Sequence, residues 1–159
     1  MLKVKNGKLV SSNMSFALPE DFSLDLKMPG GNYHVLEFVS ENELIKGGIV
    51  YINIEFEEAE LTAKEAMEDF IEDCELKLKG EFFPVKRGAG TALAAFYTGG
   101  RVSNIYEERY DFPMNSLHHN QVTVTIQLSK LKGKKLGYTL HDVLELPALK
   151  EFLDSIEYF

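Results

Sequence analysis

Gln121-Val122-Thr123-Val124-Thr125-Ile126-Gln127-Leu128-Ser129 sends Val122, Val124, Ile126 and Leu128 one way and the five polar residues the other. Successive side chains of an extended strand point to opposite faces, so this stretch specifies a sheet with one greasy and one polar face. Residues 49–56 repeat the pattern, with Val50, Ile52, Ile54 and Phe56 opposite Tyr51, Asn53 and Glu55. Residues 82–86, 91–98 and 102–112 supply further strands, separated by Gly88 and Gly90, by Gly99-Gly100, and by a loop over 113–120. Connections this short favour antiparallel neighbours.

Towards the amino terminus, Asn6-Gly7 between Val4 and Leu9 predicts a tight hairpin over residues 3–10. A strand over 14–18 ends at Pro19, a turn-rich stretch runs through Met28-Pro29-Gly30-Gly31-Asn32, and residues 33–40 form the next strand. Thr62-Ala63-Lys64-Glu65 has the capping-box pattern, with Leu61 placed to staple onto Ala66. Ala66, Met67, Phe70, Ile71, Cys74 and Leu78 then recur at helical spacing, and Gly80 is the expected left-handed cap. The acids Glu65, Glu68, Asp69, Glu72 and Asp73 form the solvated side of that helix. A second helix opens at Pro147 and carries Leu149, Phe152, Leu153 and Ile156 on one stripe. The fold class is therefore α+β, an antiparallel sheet with amphipathic helices packed on it, in one domain spanning residues 1–159.

The 159 residues carry a formal net charge of -8, with acids concentrated between Glu55 and Glu81. A polyanion is repelled by that balance, and Lys130, Lys132, Lys134 and Lys135 around Gly133 read as a solvated loop, so nucleic acid is not an expected partner. Cys74 is the single cysteine, which excludes an intrachain disulfide. No apolar run has the length of a signal peptide or of a membrane span, so the expected location is the cytoplasm without membrane insertion.

Catalytic constellations are not evident. The adjacent pair His118-His119 lacks further ligands at metal-site spacing, and His141-Asp142 lacks a neighbouring nucleophile and suits a turn beginning at Thr139. Cys74 lies on the apolar stripe of the first helix among acids that disfavour its thiolate, and reads as a small core residue. Gly88-Ala89-Gly90 lacks the third glycine of a dinucleotide site, and no phosphate-loop motif occurs. No cofactor or metal is expected.

Residues 101–110 are less bland. Alternation puts Arg101, Ser103, Ile105, Glu107 and Arg109 on one face, and Val102, Asn104, Tyr106, Glu108 and Tyr110 on the other. If this strand neighbours residues 121–129, Glu107, Arg109, Thr123, Thr125 and Gln127 share a polar surface able to hydrogen-bond a protein partner. The alternative is cross-strand ion pairing within the chain.

Phe16-Ala17-Leu18-Pro19-Glu20-Asp21-Phe22 and Phe152-Leu153-Asp154-Ser155-Ile156 resemble the framing segments of small bacterial proteins with the PsbP-like fold, and the order of elements between them is similar. Asp21 stands where a glycine is more usual. The resemblance implies an α/β/α sandwich and, because members of that superfamily mostly bind other molecules, a non-enzymatic adaptor or chaperone-like module. It transfers no functional residue. The competing expectation is a small hydrolase working through carboxylates or histidines.

Overall fold

The structure, a computed structural model, describes residues 3–11, 14–30, 33–40, 44–99, 102–112 and 120–159, without the side chains of 25–30, 33, 34, 102 and 103. In chain order the elements are β1 (Lys3–Lys5), β2 (Lys8–Val10), β3 (Met14–Ala17), β4 (Phe22–Gly30), β5 (Tyr33–Ser40), β6 (Gly48–Glu57), α1 (Ala63–Asp73), β7 (Lys77–Arg87), β8 (Gly90–Gly99), β9 (Val102–Asp111), β10 (Gln121–Lys130), α2 (Leu140–Leu144), α3 (Pro147–Ser155) and β11 (Glu157–Tyr158). Among the described residues they form a seven-stranded sheet in the order β4-β5-β6-β10-β9-β8-β7 and a four-stranded sheet in the order β1-β2-β3-β11. All pairs of named strands are antiparallel.

The two strands of cleanest alternation, β6 and β10, lie side by side near the middle. Val122 faces Phe56, Val124 faces Ile54, Ile126 faces Ile52 and Leu128 faces Val50, so one oily row meets another. All eight side chains are buried. Truncating any of the larger ones to alanine costs about 2 to 5 kcal/mol through lost transfer energy and the cavity left behind.

The small sheet and α3 cover that oily face. Asn6 and Gly7 take φ of 53° and 75°, the two left-handed residues of a hairpin turn, and thereby fold β1 onto β2. Phe16 on β3 meets Phe38 of β5 edge-on at 6.4 Å and Phe152 of α3 edge-on at 5.7 Å, a three-way contact that fastens both sheets and the helix together. The Ala17 amide donates to Ser155 Oγ at 2.8 Å, satisfying a strand amide from the end of α3. On the opposite face, α1 packs over β8 and β9. Helices thus lie on both faces of an antiparallel sheet, the α+β class that the sequence leads one to expect, while the second sheet is an addition.

Several local expectations are corrected. Of the stretch expected to be turns, Met28, Pro29 and Gly30 end β4, which tolerates Pro29 because it is an edge strand that leaves one row of backbone groups unpaired, and residues 31 and 32 lie outside the described residues. The helix α1 ends at Asp73, ahead of Gly80, in a Schellman motif: Leu76 N donates to Ile71 O at 2.9 Å, Glu75 N donates to Glu72 O at 3.3 Å, and Glu75 takes the left-handed φ of 53°. Gly80 instead serves a register shift of β7 between Lys79 and Phe83. Because the helix stops early, Cys74 leaves the stripe and is exposed. Thr62 caps α1 as expected, but its hydroxyl bonds the Glu65 carboxylate at 3.0 Å, where a full capping box would use the Thr62 amide, and Leu61 is exposed. The turn predicted from Thr139 is the short helix α2 with a complete capping box. Asp21, in the position where the resemblance leads one to expect glycine, has a φ of 62° and so fills the left-handed role itself.

Candidate functional site: the polar face of the sheet

The strand register lays the polar face out in rows. Val35, Glu55, Thr123, Arg109 and Leu93 form one; Glu37, Asn53, Thr125, Glu107 and Ala95 the next; Val39, Tyr51, Gln127, Ile105 and Tyr97 a third. The row ends on β8, with Ile105 of β9, are apolar and carry α1: Met67 and Leu76 bury against Ala95, Tyr97 and Ile105, and Phe70 meets Tyr97 edge-on at 6.0 Å. Over β5, β6 and β10 the same face stays half-buried at Glu37, Val39, Tyr51, Asn53, Thr125 and Gln127.

A hydrogen-bonded seam runs between the half that α1 covers and the half over β5, β6 and β10 that stays half-buried among the described residues. Arg109 Nη1 donates to Glu57 Oε1 at 3.1 Å and to Gln121 Oε1 at 2.9 Å, and its Nη2 donates to Glu107 Oε1 at 3.0 Å. Tyr97 donates to the other Glu107 oxygen at 3.0 Å. Gln121 passes the chain on to Asp111 Oδ1 at 2.6 Å and to the Leu61 carbonyl at 3.2 Å, while Asp111 Oδ2 accepts the Ala63 amide at 3.0 Å. An acid at the positive end of α1 is favourable there. Asn120 closes the arrangement by pairing both its amide groups with the Ala59 backbone at 2.7 Å each. Burial, with the Glu107 carboxylate beside it, pushes the Tyr97 hydroxyl pKa far above its ordinary value. Arg109 Nε and Thr123 Oγ1 are buried without a hydrogen-bond partner among the described residues.

The five residues singled out from sequence do share this face, with Thr123 opposite Arg109 and Thr125 opposite Glu107. They divide by burial. Glu107 and Thr123 are buried, and the Arg109 side chain is 11% exposed and spent on the seam. Thr125 and Gln127 look out from the uncovered half, where Gln127 Nε2 donates to Ser129 Oγ at 3.0 Å.

A second polar group, missed from sequence, sits on the oily side. Glu108 is fully buried, and its carboxylate accepts from Tyr106 at 2.6 Å, Tyr158 at 3.0 Å, and Arg87 at 3.3 Å and 3.1 Å. Tyr158 stacks on Tyr110 at 4.4 Å, and a side chain at Gly90 would collide with the Tyr110 ring and the Tyr158 Cβ. Desolvation and the Glu108 charge hold the Tyr106 and Tyr158 hydroxyls protonated far into the alkaline range. Desolvation opposes the Arg87 charge, yet the attraction of Glu108 outweighs it and the guanidinium pKa rises. With every oxygen of Glu108 occupied by chain donors, the cluster bolts β11 and β7 to β9. The sequence signal was there: Glu108 falls on the same side as Tyr106, in register with Val124.

Among the described residues the remaining candidates do not converge. Residues 118 and 119 lie outside the described residues. His141 is exposed, with its ring 4.8 Å from that of Phe96. Asp142 accepts the Thr139 amide at 2.9 Å, and that bond lowers its carboxyl pKa; it caps α2. Among the described residues no group of three or more His, Cys, Asp or Glu is placed to hold a metal ion, and no helix is long and apolar enough to cross a membrane.

No protein-family model matches the chain, and no curated protein matches it. A solved crystal structure from Bacteroides thetaiotaomicron is similar over 92% of this chain at 12% identity, with a TM-score of 0.35, and the chain spans 45% of that protein's length.

Proposed function

We propose that the chain is a non-enzymatic binding module of the PsbP-like kind, an adaptor or chaperone-like protein of the cytoplasm that engages a protein partner through the uncovered half of its polar sheet face. The observation that carries this reading is the unequal cover of one face: α1 packs over β8 and β9, while Thr125, Gln127, Tyr51 and Asn53 remain half-buried across β10 and β6. Such a row of amide, hydroxyl and phenol groups on a rigid sheet offers donors and acceptors at fixed spacing, which suits recognition of a polypeptide surface. Glu107, Arg109 and Thr123 form the far wall of that surface and are held by the seam. The helices on both sheet faces and the segments around Asp21 and Phe152 support assignment to the PsbP-like sandwich.

The test separates surface from scaffold. Thr125→Lys with Gln127→Glu changes half-buried groups on the open side, and is expected to abolish retention of a partner on the immobilised protein while shifting the melting temperature by no more than a few degrees. Equal retention by wild type and variant, or no retained protein at all, would overturn the proposal.

A further inference from the structure

On a chain of net charge -8, residues 130–141 carry four lysines and no acid, and a fifth lysine, Lys46, stands in the neighbouring turn, preceded by Glu41 and Glu43. Lys46 stands in the turn before β6, Lys130 ends β10, and Lys132, Lys134 and Lys135 follow it; all five are exposed. The loops are held together by backbone. Leu131 N donates to Gly47 O at 2.9 Å, and Gly47, at φ 82°, lies so close to the Lys135 carbonyl that any side chain there would overlap it. The second loop is a formed turn, with Lys134 N donating to Leu131 O at 3.1 Å and Gly133 at φ 74°. Leu136 anchors it to the core, which leaves Leu131 (37% exposed) and Tyr138 (36% exposed) standing among the lysines. Of the acids nearest in sequence, Glu41 and Glu43 precede Lys46 and lie outside the described residues, Asp142 caps α2, and Glu145 lies 3.7 Å from Lys150.

We infer that this patch is a docking surface for an anionic lipid membrane, separate from the polar sheet face. Three features favour a lipid surface over the other polyanions. The charges are all lysine, point charges without the planar fork that reads phosphates or bases two bonds at a time. They crown a protruding turn, whereas single-stranded nucleic acid is bound along grooves with successive stacking aromatics. A leucine and a tyrosine are exposed beside them, the residue types that settle at the boundary of headgroup and acyl chain. The acidity of the rest of the chain adds orientation: a negative leaflet attracts this end and repels the remainder, so the protein docks loop-first without inserting an element.

Co-sedimentation of the full chain with vesicles tests this. It should pellet with phosphatidylcholine vesicles containing phosphatidylserine, stay in solution with phosphatidylcholine alone, and be released by high salt. Neutralising three lysines together, Lys132→Gln, Lys134→Gln and Lys135→Gln, should lower the partition coefficient about 100-fold, at roughly one lysine per factor of five. These side chains are exposed, so an unchanged melting temperature confirms that the variant is folded. A further change, Leu131→Ser in the wild-type background, should weaken binding to anionic vesicles by a smaller factor. The inference is overturned by failure to bind anionic vesicles, by equal binding of the triple variant, or by binding to a single-stranded oligonucleotide in preference to vesicles.

Discussion

Replacing Glu108 with glutamine asks how much of the fold hangs on one buried carboxylate. The substitution preserves shape and removes the charge, so Arg87, whose side chain is only 13% exposed, loses its buried counter-ion at 3.1 Å. Asp154 offers poor compensation, being 3.9 Å away and 68% exposed. The glutamine also turns an acceptor into a donor at one position, so at least one of Tyr106, Tyr158 and Arg87 faces a donor instead of an oxygen. Removing one member of a buried ion pair costs about 3 to 5 kcal/mol. For a domain of this size that corresponds to a melting temperature lower by roughly 6 to 20 °C. Denaturant and thermal unfolding of wild type, Glu108→Gln, Arg87→Gln and the double variant provide a cycle. The double variant should be less damaged than the sum of the singles, with coupling of about 0.5 to 3 kcal/mol. A Glu108→Gln protein within about 1 kcal/mol of wild type would refute the reasoning, since the site would then tolerate an unpaired guanidinium.

Tyr158→Phe removes a single bond to the Glu108 carboxylate and should cost about 1.5 to 3 kcal/mol in denaturant unfolding, less than the loss of Glu108 itself. Thr123→Val replaces a buried hydroxyl that has no partner among the described residues, so it should leave stability unchanged or raise it by up to about 1 kcal/mol; a clear loss in the same assay would mean that the hydroxyl is bonded. Alkaline pH should unfold the protein steeply. Tyr97, Tyr106 and Tyr158 have folded pKa values raised above the unfolded value of about 10, so their contribution is complete below that pH and is lost above it, at about 1.4 kcal/mol per pH unit for each. Tyrosine absorbance followed with pH should show these groups ionising together with unfolding, and gradual ionisation of all seven tyrosines in the folded protein would contradict it. Cys74 should react fully with a thiol reagent under native conditions, as its exposure requires, and protection of the thiol would place it back on the helix stripe.

What could be read from the chain follows from how local its cause is. Period-two alternation located β6 and β10 because each has a wet and a dry face, and the same rule placed Glu107, Arg109, Thr123, Thr125 and Gln127 together. The hairpin at Asn6-Gly7, the Thr62 cap and Pro147 were legible for the same reason: each is written within four residues. Other features depend on distant partners. Pro29 reads as a turn until β4 is known to be an edge, and β11 is two residues held by distant partners: β3 beside it, the Tyr110 ring, and Glu108, fifty positions from Tyr158. Glu75 ended α1 in a conformation that glycine usually takes, so the break carried no glycine to mark it. Burial of the seam was equally invisible, because nothing in residues 101–110 announces that α1 lies across their β8 side.

The proposed binding face can be tested most directly by a photo-crosslinking side chain placed at Gln127 and, separately, at Lys86 on the edge strand β7, which is exposed but outside the proposed surface. Irradiation in cells should yield one adduct of defined mass from position 127 and none of that mass from position 86. The same pattern from both positions, or no adduct from position 127, would contradict the claim that the open half of the sheet holds a protein partner.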